Sequence, residues 1–179
     1  MTALLDAYER LLRAIAALEK AVGVFLIAAI VVTITIQVFT RYVFDRPIVW
    51  VEEVATYAFI WGAFIGAALG HKTRRHIRIE TFVSRLGPRG TAAMRIAAEA
   101  LILLLCWLLA TTAWTVMGVE ARSRSIALPV DIPRMWFYSV PLFFGTVSIA
   151  IASVYFLLRE AQALAKGGGG PDAGGRSIA

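Results

Sequence analysis

Along this chain, hydrophobic and polar positions alternate in blocks: four long apolar runs are separated by short charged segments. The first, Ala21 to Thr40, carries no charge, and its 20 residues span about 30 Å as a helix, the thickness of a bilayer's hydrocarbon core. The second is uncharged from Val54 to Gly70, between Glu53 and His71, and Trp50 to Glu53 extend it through one headgroup layer. The third, Ala100 to Val119, lies between Glu99 and Glu120, and the fourth runs from Met135 to Leu158 with Pro141 near its outer end, where a kink is tolerable. The pattern predicts an all-α integral membrane protein with four transmembrane helices, at about 21–41, 48–70, 95–119 and 134–158.

Two further stretches are amphipathic at helical spacing. In residues 1–20, Leu4, Leu5, Tyr8, Leu11, Leu12, Ile15 and Leu18 oppose Asp6, Glu9, Arg10 and Arg13, which predicts an N-terminal amphipathic helix in the cytoplasmic interface. A removable targeting peptide is the alternative. No convincing small-residue cleavage site precedes Arg41, so the segment is expected to be retained. Ile79, Phe82, Val83 and Leu86 share one face and predict a short interfacial helix between spans two and three, closed by Gly87-Pro88. The Gly-rich tail, 166–179, is expected to be disordered because it cannot bury apolar surface.

Projecting the second run at 100° per residue separates two faces. Ala55, Ala58, Gly62, Gly66 and Gly70 form a small-residue stripe with Glu52 at its margin, the kind of surface that lets another helix approach closely in lipid. That helix belongs either to this chain or to another protein. Glu53, Tyr57, Trp61 and Phe64 make the opposite, bulky face, so the two glutamates have different surroundings.

Composition and charge sharpen this picture. The chain is 59% hydrophobic with a mean hydropathy of +0.73, above the ~45–50% apolar content of soluble domains. The net charge of +6 borders the apolar runs and forms no basic domain, so no nucleic-acid partner is expected. Thirteen Lys and Arg fall on one side of the four spans, among them Arg74, Arg75 and Arg78, and five on the other: Arg41, Arg46, Arg122, Arg124 and Arg134. This excess places both termini in the cytoplasm.

Chemistry-bearing residues are sparse. Cys106 is the single cysteine, and the two histidines, His71 and His76, fall in the basic loop rather than at haem-ligand depth, so no metal, cofactor or enzyme activity is expected. Glu52 and Glu53 stand out because ionisable groups in membrane spans are costly. Three readings apply to them: anchoring or pairing with Arg41 or Arg46, a partner contact, and ion or proton coupling. Arg95 and Glu99 are expected to pair four residues apart, and Trp50 and Trp136 to sit in the aromatic belts, whereas Trp61 lies near mid-span.

The run from Arg41 to Glu80 resembles the small permease subunit of tripartite ATP-independent periplasmic (TRAP) transporters. The family's pattern of R-Y-x-F, W-x-E-E, W-G-A and H-I-x-I is met here by Arg41 to Phe44, Trp50 with Glu52 and Glu53, Trp61-Gly62-Ala63, and His76 to Ile79. Leu128-Pro129 and Pro133 to Trp136 match a second block. The likeness covers roughly residues 22 to 160, with one departure: Thr56 stands before Tyr57 where the family usually has arginine. The resemblance implies a non-catalytic partner, in the bacterial inner membrane and among its lipids, of a large TRAP subunit that carries the sodium and substrate sites. A periplasmic solute-binding protein would deliver an organic acid, and the small subunit would brace the scaffold of an elevator carrier. A stand-alone proton-coupled carrier using Glu52 or Glu53, and a purely structural or assembly protein, remain the alternatives.

Overall fold

A computed structural model describes residues 2–46, 48–73, 87–125 and 131–165. The predicted helix near 79–86, Arg74, Arg75, Arg78, the Leu128-Pro129 turn and the tail lie outside the described residues.

Helix α1 spans Thr2–Val43, α2 Val49–Lys72, α3 Gly87–Glu120 and α4 Ser139–Ala165, with a 3-10 turn at Arg134–Trp136 before α4. All four helices have the length and hydropathy to cross a membrane, so this is a multi-pass, all-α membrane protein. The amphipathic residues 2–20 and the first apolar run lie on one continuous helix, α1. Lys20, Ala21 and Val22 contain no stop signal, and the two segments share one helical period, so they fuse. Asp45, with φ 51°, takes the left-handed conformation that its short polar side chain tolerates and turns the chain toward α2. Gly87-Pro88 starts a helix, since a proline in the first turn gives up an N–H that has no intrahelical partner. Pro141 likewise falls in the first turn of α4, which begins at Ser139 rather than at Met135.

α1 packs along α2, α2 along α4, and α3 along α4. The buried cluster joins the ends of two helices: Leu12 from α1 meets Ala152, Tyr155 and Phe156 of α4, with Leu5, Tyr8 and Ile151 around them. The Tyr8 hydroxyl donates to the Ile151 carbonyl at 2.7 Å, and the Tyr155 hydroxyl donates to Glu9 at 2.8 Å. Part of the N-terminal apolar stripe therefore covers α4, while Leu11 and Leu18 are exposed. Most of α1 and α3 presents side chains such as Phe25, Val31, Leu104 and Trp107 outward, as expected where the solvent is lipid.

Helices α2 and α4 come close together at Gly145. A Cβ added to Gly145 would lie 2.9 Å from the Phe64 Cβ and 3.1 Å from its carbonyl oxygen. Only glycine leaves that space open. The bulky face of α2 packs against the α4 side of the chain: the Tyr57 ring stacks on Phe137 with centroids 3.8 Å apart, and the Trp61 ring lies against Phe144.

Candidate functional site

Polar side chains collect at two levels of the bundle. At one end are Gln37, Glu52, Glu53, Glu120, Ser125 and Ser139; at the other are Glu19, His71, Lys72, Arg95, Glu99 and Glu160. Glu53 and His71 on α2 are separated by about 27 Å of helix, and Glu99 and Glu120 on α3 by about 31 Å. These spacings match the thickness of a bilayer core.

At the first level the two glutamates do different work. Glu52 is exposed, and its carboxylate accepts a hydrogen bond of 2.9 Å from the amide of Gln37, which is only 5% exposed. Arg41 and Arg46 are both exposed, and the group meeting Glu52 is Gln37 rather than either arginine. Glu53 instead faces the α3–α4 loop. Its Oε1 accepts from the Tyr57 hydroxyl and, at 2.6 Å, from the Ser125 hydroxyl. That loop is closed by hydrogen bonds from Ser125 N–H to the Ile132 carbonyl and from Arg134 N–H to the Ser123 carbonyl. Ser139 donates to Glu120 across the same turn. Trp61 finds a polar partner although it lies well inside α2, because its indole N–H donates to the Trp136 carbonyl at 3.0 Å. Trp50 and the Trp136 side chain are exposed.

The second level is a buried charge cluster. The Lys72 ammonium, 0% exposed, lies 2.6 Å from Glu19 Oε1 and 2.7 Å from the Ser148 hydroxyl, which itself donates to the same carboxylate oxygen at 2.5 Å. Three helices, α1, α2 and α4, meet at this trio. His71 Nε2 is 2.9 Å from the Ser153 hydroxyl and 3.6 Å from Glu99 Oε2, which brings in α3. Arg95 reaches across to Glu160 at 3.5 Å rather than pairing with Glu99 on its own helix. The Glu160 side chain is nearly buried, where a carboxylate without a partner is costly, and Glu99 lies beside His71 instead.

The small-residue stripe is divided by this packing. Ala55 is buried and Ala58 is half-buried, but Gly62 and Gly66 have nothing within 4 Å of where a Cβ would stand, and Gly66 is exposed. Together with Glu52, Thr56, Phe59, Ala63 and Ala67, Gly66 forms an outward face of α2. Among the described residues, no three His, Cys, Asp or Glu side chains gather as metal ligands.

Sequence reasoning singled out Glu52, Glu53 and the stripe but passed over Gln37, Glu19, Lys72, Ser148 and Gly145. Lys72 stands at the start of a basic stretch and reads from sequence as part of it. The available signal was positional: Glu19 and Lys72 each fall at the edge of an apolar run, where a turn more of helix draws them inside.

Four spans, polar clasps at both ends and an open helix face define a helical membrane subunit of a multi-pass type. Residues 30–163 match the family described as tripartite ATP-independent periplasmic transporters, DctQ component, and the chain belongs to that family. It is therefore the small permease subunit of a TRAP transporter, a family that works with a large membrane subunit. Among its relatives, a protein named as a TRAP transporter small permease of Haemophilus influenzae is 29% identical over 140 residues, covering 75% of this chain and 86% of that protein. The sialic acid TRAP transporter small permease SiaQ of Vibrio cholerae is 26% identical, covering 70% of this chain and 72% of SiaQ. The isethionate TRAP transporter permease DctMQ of Oleidesulfovibrio alaskensis is 27% identical over 71% of this chain, a match that takes up 22% of DctMQ.

Proposed function

We propose that this subunit is a passive brace: it steadies the fixed scaffold of a large, sodium-coupled elevator subunit that takes up an organic acid delivered by a periplasmic binding protein. The carrying observation is the division of labour on α2. Its bulky face and its polar ends are used up inside the chain, while Gly66 and its neighbours stay open to a helix from another protein. The buried charges favour this reading, since each described one is held by a cross-helix partner and serves packing. Both termini lie in the cytoplasm on this reading, with Glu52, Glu53 and the α3–α4 loop on the periplasmic side of the bacterial inner membrane. Lipids contact the exposed flanks of α1 and α3.

The test is reconstitution. The chain is placed in proteoliposomes alone, and again with a large TRAP subunit and binding protein of its own organism, under a sodium gradient. Sialic acid, isethionate and simple dicarboxylic acids serve as labelled probes. Uptake of one of them only by the assembled system supports the brace; sodium- or proton-driven uptake by this chain alone refutes it.

A further inference from the structure

We infer that two polar clasps, Glu19–Lys72–Ser148 at one end and Gln37–Glu52 at the other, set the sliding register of α1 against α2, and that the apolar seam between them does not.

The seam is periodic. On α1, Glu19, Gly23 and Gln37 meet α2, and the half-buried Leu26, Ile30 and Thr33 fall between them at the same spacing, alternately four and three apart. On α2 the corresponding series is Val51, Ala55, Ala58, Gly62, Ile65, Leu69 and Lys72, with the same alternation. This is the repeat of a coiled coil, in which a shift by one turn exchanges one seam position for the next. Nothing large locks the middle: between Lys20 and Ile36 no α1 residue is buried, and an added Cβ at Gly23 would just touch Ile65 at 4.0 Å. In lipid, such a seam gains little specificity, because acyl chains are as apolar as the side chains they replace.

Polar groups at isolated seam positions behave differently. A slip of one turn carries a helix about 5.4 Å along its axis. It would separate Lys72 from Glu19, now 2.6 Å apart and both buried, and Gln37 from Glu52, now 2.9 Å apart. Each misaligned register then holds buried charge or amide without a partner, the situation in which a buried polar residue specifies pairing rather than adding stability. The Ser148 hydroxyl extends the clasp to α4, which α1 otherwise meets mainly through Leu12 and its neighbours.

The experiment uses the full chain with its large subunit, in a Cys106→Ser background. Cysteine pairs at Gly23 with Ile65, and at Gly23 with Leu69 one turn further along, report the register by oxidative cross-linking. With the clasps intact, the 23–65 product dominates. Lys72→Met alone strands the Glu19 carboxylate and lowers the yield of folded subunit several-fold. Glu19→Met with Lys72→Met removes both charges, restores the yield, and lets the 23–69 product rise to rival 23–65. Adding Gln37→Leu spreads it further. A paired methionine variant that keeps a single 23–65 product overturns the proposal. A consequence resting on the brace reading is that the same variant, still bound to the large subunit, takes up several-fold less of the acid transported by the wild-type complex. Undiminished uptake would show that register is irrelevant to transport, whereas failure of the wild-type complex to transport any probe counts against the brace and leaves the cross-linking result to decide the clasp.

Discussion

The Lys72 ammonium and the Glu19 carboxylate meet 2.6 Å apart between helices that are 53 positions separated in sequence, and both side chains are buried. Removing one partner of a buried pair costs on the order of 3–5 kcal/mol, because the other charge stays in place without compensation. Lys72→Met is therefore expected to lower the thermal midpoint of the purified subunit sharply. Arg13→Ala is the contrast. Arg13 pairs with Glu9 on the exposed surface of α1, and exposed pairs contribute roughly 0–1 kcal/mol. Its midpoint should barely move in a melt of the same detergent-solubilised protein.

Gly145 and Gly66 predict opposite outcomes for similar substitutions. Gly145→Val sets a side chain against Phe64, where even a Cβ is 2.9 Å from the nearest atom. Forcing α2 and α4 apart there is expected to cost about 1–3 kcal/mol or more, seen as lower folded yield and an earlier melt. Gly66→Ala meets open space and should leave the isolated chain unchanged.

Gly66→Leu then separates folding from assembly. The isolated subunit should melt as wild type, whereas co-purification with the large subunit should fall, since a bulky side chain on the open face keeps a neighbouring helix away. Equal recovery of the complex would show that this face meets only lipid.

Glu53 holds the α3–α4 loop through Ser125 as well as Tyr57. Replacing it with alanine takes away the carboxylate that the buried Tyr57 and half-buried Ser125 hydroxyls share, a loss of about 1–3 kcal/mol. Faster hydrogen exchange at Ser123, Ser125 and Arg134 is the expected signature. Glu52→Gln, which keeps an oxygen for the Gln37 amide, should leave those amides unaffected.

The four spans were legible because an apolar run long enough to cross a bilayer has few other uses, and each run here has its helix. The split of α2 into two faces was legible for the same reason of period. That both faces pack inside the chain was not. The small-residue side meets α1 at its Glu52 margin, while on the bulky side it is Gly145 of α4 that lets the Phe64 Cβ and backbone come close. The join at residue 20 was hidden because amphipathic and apolar segments share the helical period. Glu19 and Lys72 were hidden because a charge at the end of a run reads as a surface residue until a third helix is seen to cover it. They are 53 positions apart from each other, and Ser148 lies 76 and 129 positions from Lys72 and Glu19, beyond what local pattern reports.

The brace reading is tested most directly by uptake in proteoliposomes with and without the large subunit, in the presence of the binding protein and a sodium gradient. No uptake is expected from this chain alone, and sodium-dependent uptake of a labelled acid is expected only once the large subunit is added. Flux of the same acid through the chain by itself would contradict the account.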